Sequence, residues 1–415
     1  MIVTMFKTKP MYFVFANQLL ERATYLIFYI VLARILATEE YGILITVFAF
    51  SNIVQIIFDF GLPFYVQREI ASCDQNYSKL DVLFTIKYLS FPIIICIELA
   101  YLSIVRDINP IWVILIGTAT HIQSINLIYN SIFYAKECYK EPLLNNVIAK
   151  VIFLLLFLIL IYLKYSVILF LISFLIGSML VIILQRANLI SKHRILAKYT
   201  FSLAGIGEIL RSSLQIGTGL IFVTIYDRAD IILLQLFMNY SDVAIYAVSY
   251  SLFRSFQIFG SSVLLPAYTK YSGIFGRNGH LEIRDIKKEF YTLVALSAIF
   301  ILIACVFGEW VITLLYGSSY NYSSIIFIAL MFAIPGVFLN NLTGVISNST
   351  RQEKIPLVTT GVGVLVGIGC NILLIPLIGL YGAVSATIIT EYSVFIFQLI
   401  LLRKGSVNNS KINEL

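Results

Sequence analysis

Twelve charged side chains stand inside apolar stretches of this sequence, and nine of them are the candidates for chemistry. Arg22, Lys150, Arg211, Arg228 and Arg254 are basic; Asp59, Asp227, Asp230 and Glu391 are acidic. A charge near the centre of a membrane helix costs about 2.5 to 3.5 kcal/mol on insertion scales, so such groups face a bundle interior or a wet cavity. Basic groups held there can bind an anion, and buried carboxylates can take up and release a proton or Na+. Other chemistries lack their parts. There is no arguable Ser/His/Asp arrangement and no DxD pair for a sugar-nucleotide metal. The five cysteines, Cys73, Cys96, Cys138, Cys305 and Cys370, have neither CxxC spacing nor a histidine partner, which supports neither a metal site nor a disulfide framework.

The elements that must position these charges are membrane helices. With 415 residues, 60% of them hydrophobic and 12% charged, and a mean hydropathy of +0.92, the chain lacks the polar surface that a soluble globule of its size presents to water. Apolar stretches of bilayer-crossing length fall near residues 12–33, 43–64, 82–104, 111–134, 143–163, 165–185, 209–237, 243–266, 290–307, 324–347, 357–376 and 380–402. About twelve transmembrane helices are therefore expected. Uninterrupted runs such as Val151 to Tyr162 do not alternate as barrel strands do. The pivotal stretch is Leu210 to Phe237, which is long enough to span yet carries Arg211, Asp227, Arg228 and Asp230. It opens what reads as a second half.

Each charge also has a plain structural explanation. Glu21 can balance Arg22, and Asp227 or Asp230 can balance Arg228, whereas Arg254 has no acid in its own span. Lys87 and Glu98 are expected to snorkel from the ends of the third span. In the fourth, Gln123, Asn126 and Asn130 form a polar stripe beside His121, suited equally to gluing helices together and to lining a cavity. Gly363 and Gly367 stand at GxxxG spacing, which favours close helix packing.

The net charge of +7 is spread over loops rather than gathered in one basic domain, which argues against nucleic acid. Lys7, Lys9, Arg68, Lys136, Lys140, Arg186, Lys287, Arg351 and Arg403 are among those that fall on one side of a twelve-span topology; only Arg34, Arg106 and Lys164 fall on the other. By the positive-inside rule both termini are expected in the cytoplasm. The first apolar run has no small-residue cleavage site and is interrupted by Glu21-Arg22, so it reads as an uncleaved span.

The two halves echo each other. EEYGIL at Glu39 to Leu44 resembles SDVAIY at Ser241 to Tyr246, and FGLPFYVQRE at Phe60 to Glu69 resembles FGSSVLLPAY at Phe259 to Tyr268. This suggests two six-helix bundles, residues 1–198, ending in the basic linker Arg186 to Lys198, and residues 199–415.

EEYG before the second span, FGLP followed by Arg68 and Glu69, DVAIY before the eighth, LLYGSSY and IPLIGLYGAVSATIITE together resemble the bacterial polysaccharide-export flippases, the Wzx-type O-antigen transporters of the multidrug/oligosaccharidyl-lipid/polysaccharide (MOP, MATE-like) superfamily. Ala244 stands where that family often has glycine. The resemblance implies an all-helical protein of the bacterial inner membrane whose two six-helix bundles give alternating access to a central cavity. Its substrate would be undecaprenyl-pyrophosphate-linked oligosaccharide. A doubly anionic headgroup needs a cationic cavity, for which Arg22, Lys150, Arg211, Arg228 and Arg254 are candidates, with Arg22 and Arg254 foremost as near mid-depth in the two halves. Asp59, Asp227, Asp230 and Glu391 are candidates for H+ or Na+ coupling, with no other cofactor expected. Membrane lipid, a polysaccharide polymerase and a chain-length regulator are the partners implied. A multidrug or lipid II exporter of the same superfamily is the rival reading. A polymerase or ligase is a weaker one, because the outer loops are short and poor in basic residues.

Overall fold

The computed structural model describes residues 9–72, 78–103, 105, 108–163, 166–193, 203 and 205–412. Those residues form fourteen α-helices and one short 3-10 turn, Ser318–Tyr320, with no strand among them. In chain order the helices are α1 (Lys9–Ile35), α2 (Thr38–Asp59), α3 (Leu62–Ser72), α4 (Ser78–Tyr101), α5 (Pro110–Ala135), α6 (Lys140–Tyr162), α7 (Val167–His193), α8 (Ile206–Phe237), α9 (Tyr240–Asn278), α10 (Ile283–Tyr316), α11 (Asn321–Met331), α12 (Ile334–Ser349), α13 (Lys354–Ile378) and α14 (Leu380–Ile412).

By length and composition, eight of these helical stretches can cross a bilayer, or nine if α11 and α12 are one span bent by 44°. The other three expected spans are α1, α8 and α9, long helices whose hydropathy is lowered by Glu21, Arg22, Asp227, Arg228, Asp230, Arg254 and their polar neighbours. Apolar side chains on the outer faces stay exposed, among them Ile183, Leu302, Val306, Leu365 and Leu377. Patches of that kind are rare on proteins that face water and ordinary on those that face lipid. The chain is a multi-pass membrane protein.

Sequence punctuation explains where the helices start and break. Asn109 caps α5 by accepting from the Ile111 N–H at 2.9 Å, with Pro110 in the first turn where no N–H is needed. Asn239 caps α9 by accepting from the Asp242 N–H at 2.9 Å. The FGLP motif separates α2 from α3, with Phe60 at φ 43° and Gly61 at φ 75°. Its glycine also answers a close approach: a Cβ on Gly61 would stand 2.9 Å from the Gly217 nitrogen of α8, and one on Gly217 would stand 2.6 Å from the Phe60 carbonyl oxygen. The expected twin, FGSSVLLP, causes no break. α9 runs through it unbroken, including Pro266.

The chain divides into two compact units, Met1–Leu32 with Val47–Thr224, and Ala33–Thr46 with Ile225–Leu415. This differs from a boundary at residue 198. The division falls at Thr224 because α8 is one unbroken helix of 32 residues, and the expected linker is helical as far as His193. The rest of that linker, 194–198, lies outside the described residues. The segment Ala33–Thr46 belongs with the second unit for contact reasons. Arg34 donates to the Leu315 carbonyl at 2.8 Å and to that of Leu314, covering the open carbonyl end of α10. Gly42 lies so close to the Tyr240 carbonyl that no larger residue fits, and Tyr41 meets Tyr320 edge-on.

Each unit has an aromatic core. In the first, Phe28 of α1 stacks on Phe174 of α7 with centroids 5.1 Å apart and meets Phe153 and Phe157 of α6. In the second, Phe256 of α9 packs against Phe300 and Phe327, and Gly260 leaves room for the Phe338 ring. α13 and α14 form a close hairpin, with Gly363 against Val394 and Gly367 against Thr390, the packing that the GxxxG spacing predicts.

Candidate functional site

The first unit holds a buried polar network. Asp59 ends α2, just before the FGLP break, and its carboxylate forms an ion pair with Lys87 of α4. Ser124 of α5 donates to Asp59 Oδ1 at 2.5 Å, and Gln55, one turn back on α2, donates at 2.8 Å. Lys87 also donates to Ser124 Oγ at 2.5 Å, and Gln55 Oε1 meets His121 Nδ1 at 3.2 Å. Lys87 is fully buried. Its position corrects the snorkelling expectation: α4 begins at Ser78, so Lys87 lies about 13 Å along the helix and cannot reach the start. Glu98 is nearer an end but equally buried, its carboxylate seated against Gly117 of α5. The polar group that approaches its carboxylate is the Ser51 hydroxyl of α2.

Beside this network lies a cavity of about 240 Å³. Glu21 and Tyr25 of α1 line one wall and Lys150 of α6 another, with Asn52, Asp59, Gln123 and Asn126 completing the polar lining. Lys150 Nζ stands 3.4 Å from the Tyr25 hydroxyl and 4.6 Å from its ring centre, a cation–π distance. Asn146 steadies this group, donating to Asn17 at 2.8 Å and to Glu21 at 3.5 Å. The polar stripe on α5 does both of the jobs expected of it. Gln123 donates to Ser178 of α7 at 3.2 Å, Asn126 and Asn130 accept from Gln185 at 2.6 and 2.9 Å, and Gln123 and Asn126 also face the cavity.

The second unit's network is richer in acid. Asp227 of α8 forms an ion pair with Arg254 of α9 at 2.5 Å. One turn on, buried Asp230 accepts from the Tyr246 hydroxyl at 2.5 Å and from the Ile231 N–H at 2.9 Å; Tyr246 in turn meets Thr387 at 3.2 Å. Glu391 of α14 accepts from Asn340 Nδ2 at 2.6 Å and from the Tyr226 hydroxyl. A cavity of about 30 Å³, the size of one water, lies beside Asp230, Tyr226, Asn371, Thr387 and Thr390. The Asn371 Oδ1 is buried and without a partner among the described residues. Gly363 and Gly367 line the same space, so their small size serves this cavity as well as the hairpin.

A family model described as polysaccharide biosynthesis protein matches residues 9–272. The chain belongs to the polysaccharide biosynthesis protein family. Among solved structures, it is similar to the lipid II flippase MurJ in an inward closed conformation, with TM-score 0.70 and 15% identity over 95% of this chain and 87% of that one. It is also similar to a multidrug resistance MATE family transporter of the MOP superfamily in its inward-facing conformation, with TM-score 0.68 and 14% identity over 95% and 96% of the two chains. A eukaryotic MATE transporter aligns with TM-score 0.60 and 15% identity over 94% of each chain. No curated protein matches the sequence. At these identities the likeness is one of fold, and this family member has the all-helical fold of MurJ and the MATE transporters.

The sequence-predicted residues divide into three groups. Lys150 and Asp59 line the first unit's cavity, whereas Arg22 and Arg211 do not, and both are exposed. Asp227, Asp230, Glu391 and Arg254 converge in the second unit. Arg228 is half-buried; among the described residues it, Arg22 and Arg211 lie beyond ion-pair distance of any acid. Neither Glu21 nor Asp227 forms an ion pair with the arginine that follows it in sequence. Arg22 does not pair with Glu21, whose nearest basic influence is Lys150 on α6. Asp227 pairs with Arg254 of α9 and not with its neighbour Arg228, because successive residues on α8 point to different faces, while Arg228 acts on Asp230 at longer range. Sequence reasoning missed Tyr25, Tyr226, Tyr246, Asn340 and Asn371. Their only signal was the excess of tyrosine and asparagine inside apolar runs.

Proposed function

We propose that this family member is a flippase that carries an undecaprenyl-pyrophosphate-linked oligosaccharide, an O-antigen or related repeat unit, across the bacterial inner membrane by alternating access, with both termini in the cytoplasm and without enzymatic chemistry of its own. The observation that carries this reading is a polysaccharide biosynthesis family match on a chain with a membrane transporter's fold. The charges support it. Among the described residues, exposed Arg22 and Arg211 in the first unit and half-buried Arg228 in the second form no ion pair and can meet an anionic headgroup, while Arg254 can exchange Asp227 for a phosphate oxygen.

Coupling falls to the second unit in this reading. Asp59 and Asp227 are each held by a cation, whereas Asp230 and Glu391 are held by neutral donors and remain free to bind H+ or Na+. The water-sized cavity beside Asp230, with Asn371 Oδ1 and the Thr387 hydroxyl, gives such an ion room and oxygen ligands. A polymerase and a chain-length regulator would act on the product.

The test is the fate of lipid-linked oligosaccharide in a host lacking this gene. Single repeat units accumulating inside with loss of surface polymer support translocation. Single units on the surface without polymer would mean a polymerase, and an intact surface with altered drug sensitivity would mean a multidrug exporter. Arg22→Ala and Arg254→Ala should each abolish export while the protein still reaches the membrane. Full export by both removes them from the site.

A further inference from the structure

We propose that the first unit's cavity is a receptor for one uncharged sugar ring of the transported molecule and excludes its pyrophosphate. The inference rests on the transport reading above and assigns a chemical class to one part of the substrate. Size comes first. About 240 Å³ is several times the ~30 Å³ share of a water molecule. It falls short of the roughly 300 Å³ at which pockets for drug-sized ligands begin. One pyranose ring with its substituents belongs to that class; a whole oligosaccharide does not.

Charge comes second. The two acids facing the cavity, Glu21 and Asp59, are offset by Lys150 on the wall and by Lys87 behind Asp59. A dianion entering this space gains no net attraction and must lie against two carboxylates, which is unfavourable in a low-dielectric interior. An organic cation meets the Lys150 ammonium instead. A neutral ligand meets neither penalty.

Hydrogen-bonding capacity decides the chemistry. Asn52 gives one amide N–H to the Phe48 carbonyl and Gln123 gives one to Ser178, so that among the described residues each keeps its amide oxygen and its second N–H for the cavity. Asn126 is the reverse, its oxygen taken by Gln185 and its NH2 left over. Thr120, Ser178 and Thr224 donate to backbone carbonyls of their own helices and keep only acceptor lone pairs. The lining thus offers acceptors beside its donors, among them the two amide oxygens and the Glu21 carboxylate. Phosphate oxygens only accept, whereas each sugar hydroxyl both donates and accepts. The wall fits a polyol.

Saturation-transfer NMR on the purified full chain tests this, using glucose, galactose and N-acetylglucosamine in turn, with inorganic pyrophosphate and tetraphenylphosphonium as competitors. The expected result is transfer to at least one pyranose, unaffected by either competitor. Asn52→Leu and Gln123→Leu should each weaken it about 3- to 10-fold, the worth of one hydrogen bond. No transfer to any pyranose, displacement by pyrophosphate or by the cation, or undiminished transfer in both variants overturns the proposal. Should a variant fail to fold, the wild-type result against pyrophosphate still decides. Flux of lipid-linked oligosaccharide in proteoliposomes, measured in parallel, separates the two readings. Flux without pyranose transfer removes this inference and leaves transport, whereas pyranose transfer that needs both amides, without flux, leaves the receptor and removes transport.

Discussion

Each unit contains an ion pair between helices, and the two differ in almost everything but their charges. Asp59–Lys87 is sealed, with side-chain exposures of 6% and 0%, and Ser124 and Gln55 complete its hydrogen bonds. Asp227–Arg254 is half open, at 24% and 38%, among two further acids. A buried pair whose hydrogen bonds are completed by its neighbours acts as a strut, because Asp59 meets only the cavity while Lys87 stays behind it, and separating the two strands a charge. An open pair can trade partners. The first unit thus reads as a rigid, charge-balanced frame around a roomy cavity. The second is an acid cluster around a water-sized one, and under the proposed function it is where a coupling ion would bind and where Arg254 would be released.

The largest effect that can break this contrast concerns Asp230. If the second unit holds the coupling site, Asp230→Asn should abolish gradient-driven flux, because the amide keeps the shape and the Tyr246 contact but cannot take up a proton and lacks the negative charge that holds a cation. Flux in proteoliposomes, with and without an imposed proton or sodium gradient, measures this. Stimulation as large as in the wild type would move coupling elsewhere. Thermal unfolding should change little.

The sealed pair behaves in the opposite way. Lys87→Met leaves Asp59 buried without its counterion and should cost about 3–5 kcal/mol. The double change Lys87→Met with Asp59→Leu should recover most of that, since no charge is then stranded. Thermal unfolding of the detergent-solubilised protein follows both. A double variant as unstable as the single would mean that the network, and not the charge, is the strut.

A smaller effect tests the break that places Asp59. Gly217→Ala puts a Cβ 2.6 Å from the Phe60 carbonyl oxygen, so α8 must move from the α2–α3 corner, at a cost of about 1–3 kcal/mol. The corresponding place in the second unit has no break, and Gly260→Ala strains only the Phe338 ring, which has side-chain freedom to yield. Equal losses in the two variants would remove this difference between the halves.

Much of this was legible in the sequence, and the remainder was not for identifiable reasons. Hydropathy located every long helix, including α1, α8 and α9, whose charges make them poor spans by composition alone. The twelve intramembrane charges were visible as anomalies. Their partners were not. Neighbours in sequence, such as Arg22 beside Glu21, suggest pairs that a helix does not make, because adjacent residues leave its axis about 100° apart. The true partners, Asp59 with Lys87 and Asp227 with Arg254, come from different helices and need the tertiary fold to be seen. Likewise, EEYG and FGLP marked places of importance, but the reason, backbone pressed against the Tyr240 carbonyl and against Gly217, is a contact with distant chain.

The smallest expected effect bears on the open pair itself. Asp227→Asn removes the charge beside Arg254 and keeps a hydrogen-bond acceptor. Because both side chains are partly exposed, the loss should be about 0.5–1 kcal/mol, within the range of exposed pairs. Transport should nevertheless respond, since an arginine no longer competed for by Asp227 binds an anion more readily and releases it more slowly. Lower half-saturation for lipid-linked oligosaccharide together with a lower maximal flux is the expected signature in proteoliposomes. Removing Arg254 itself should abolish flux altogether. A variant of Asp227 that loses stability on the scale of Lys87→Met, with half-saturation unmoved, would make the second pair a strut as well.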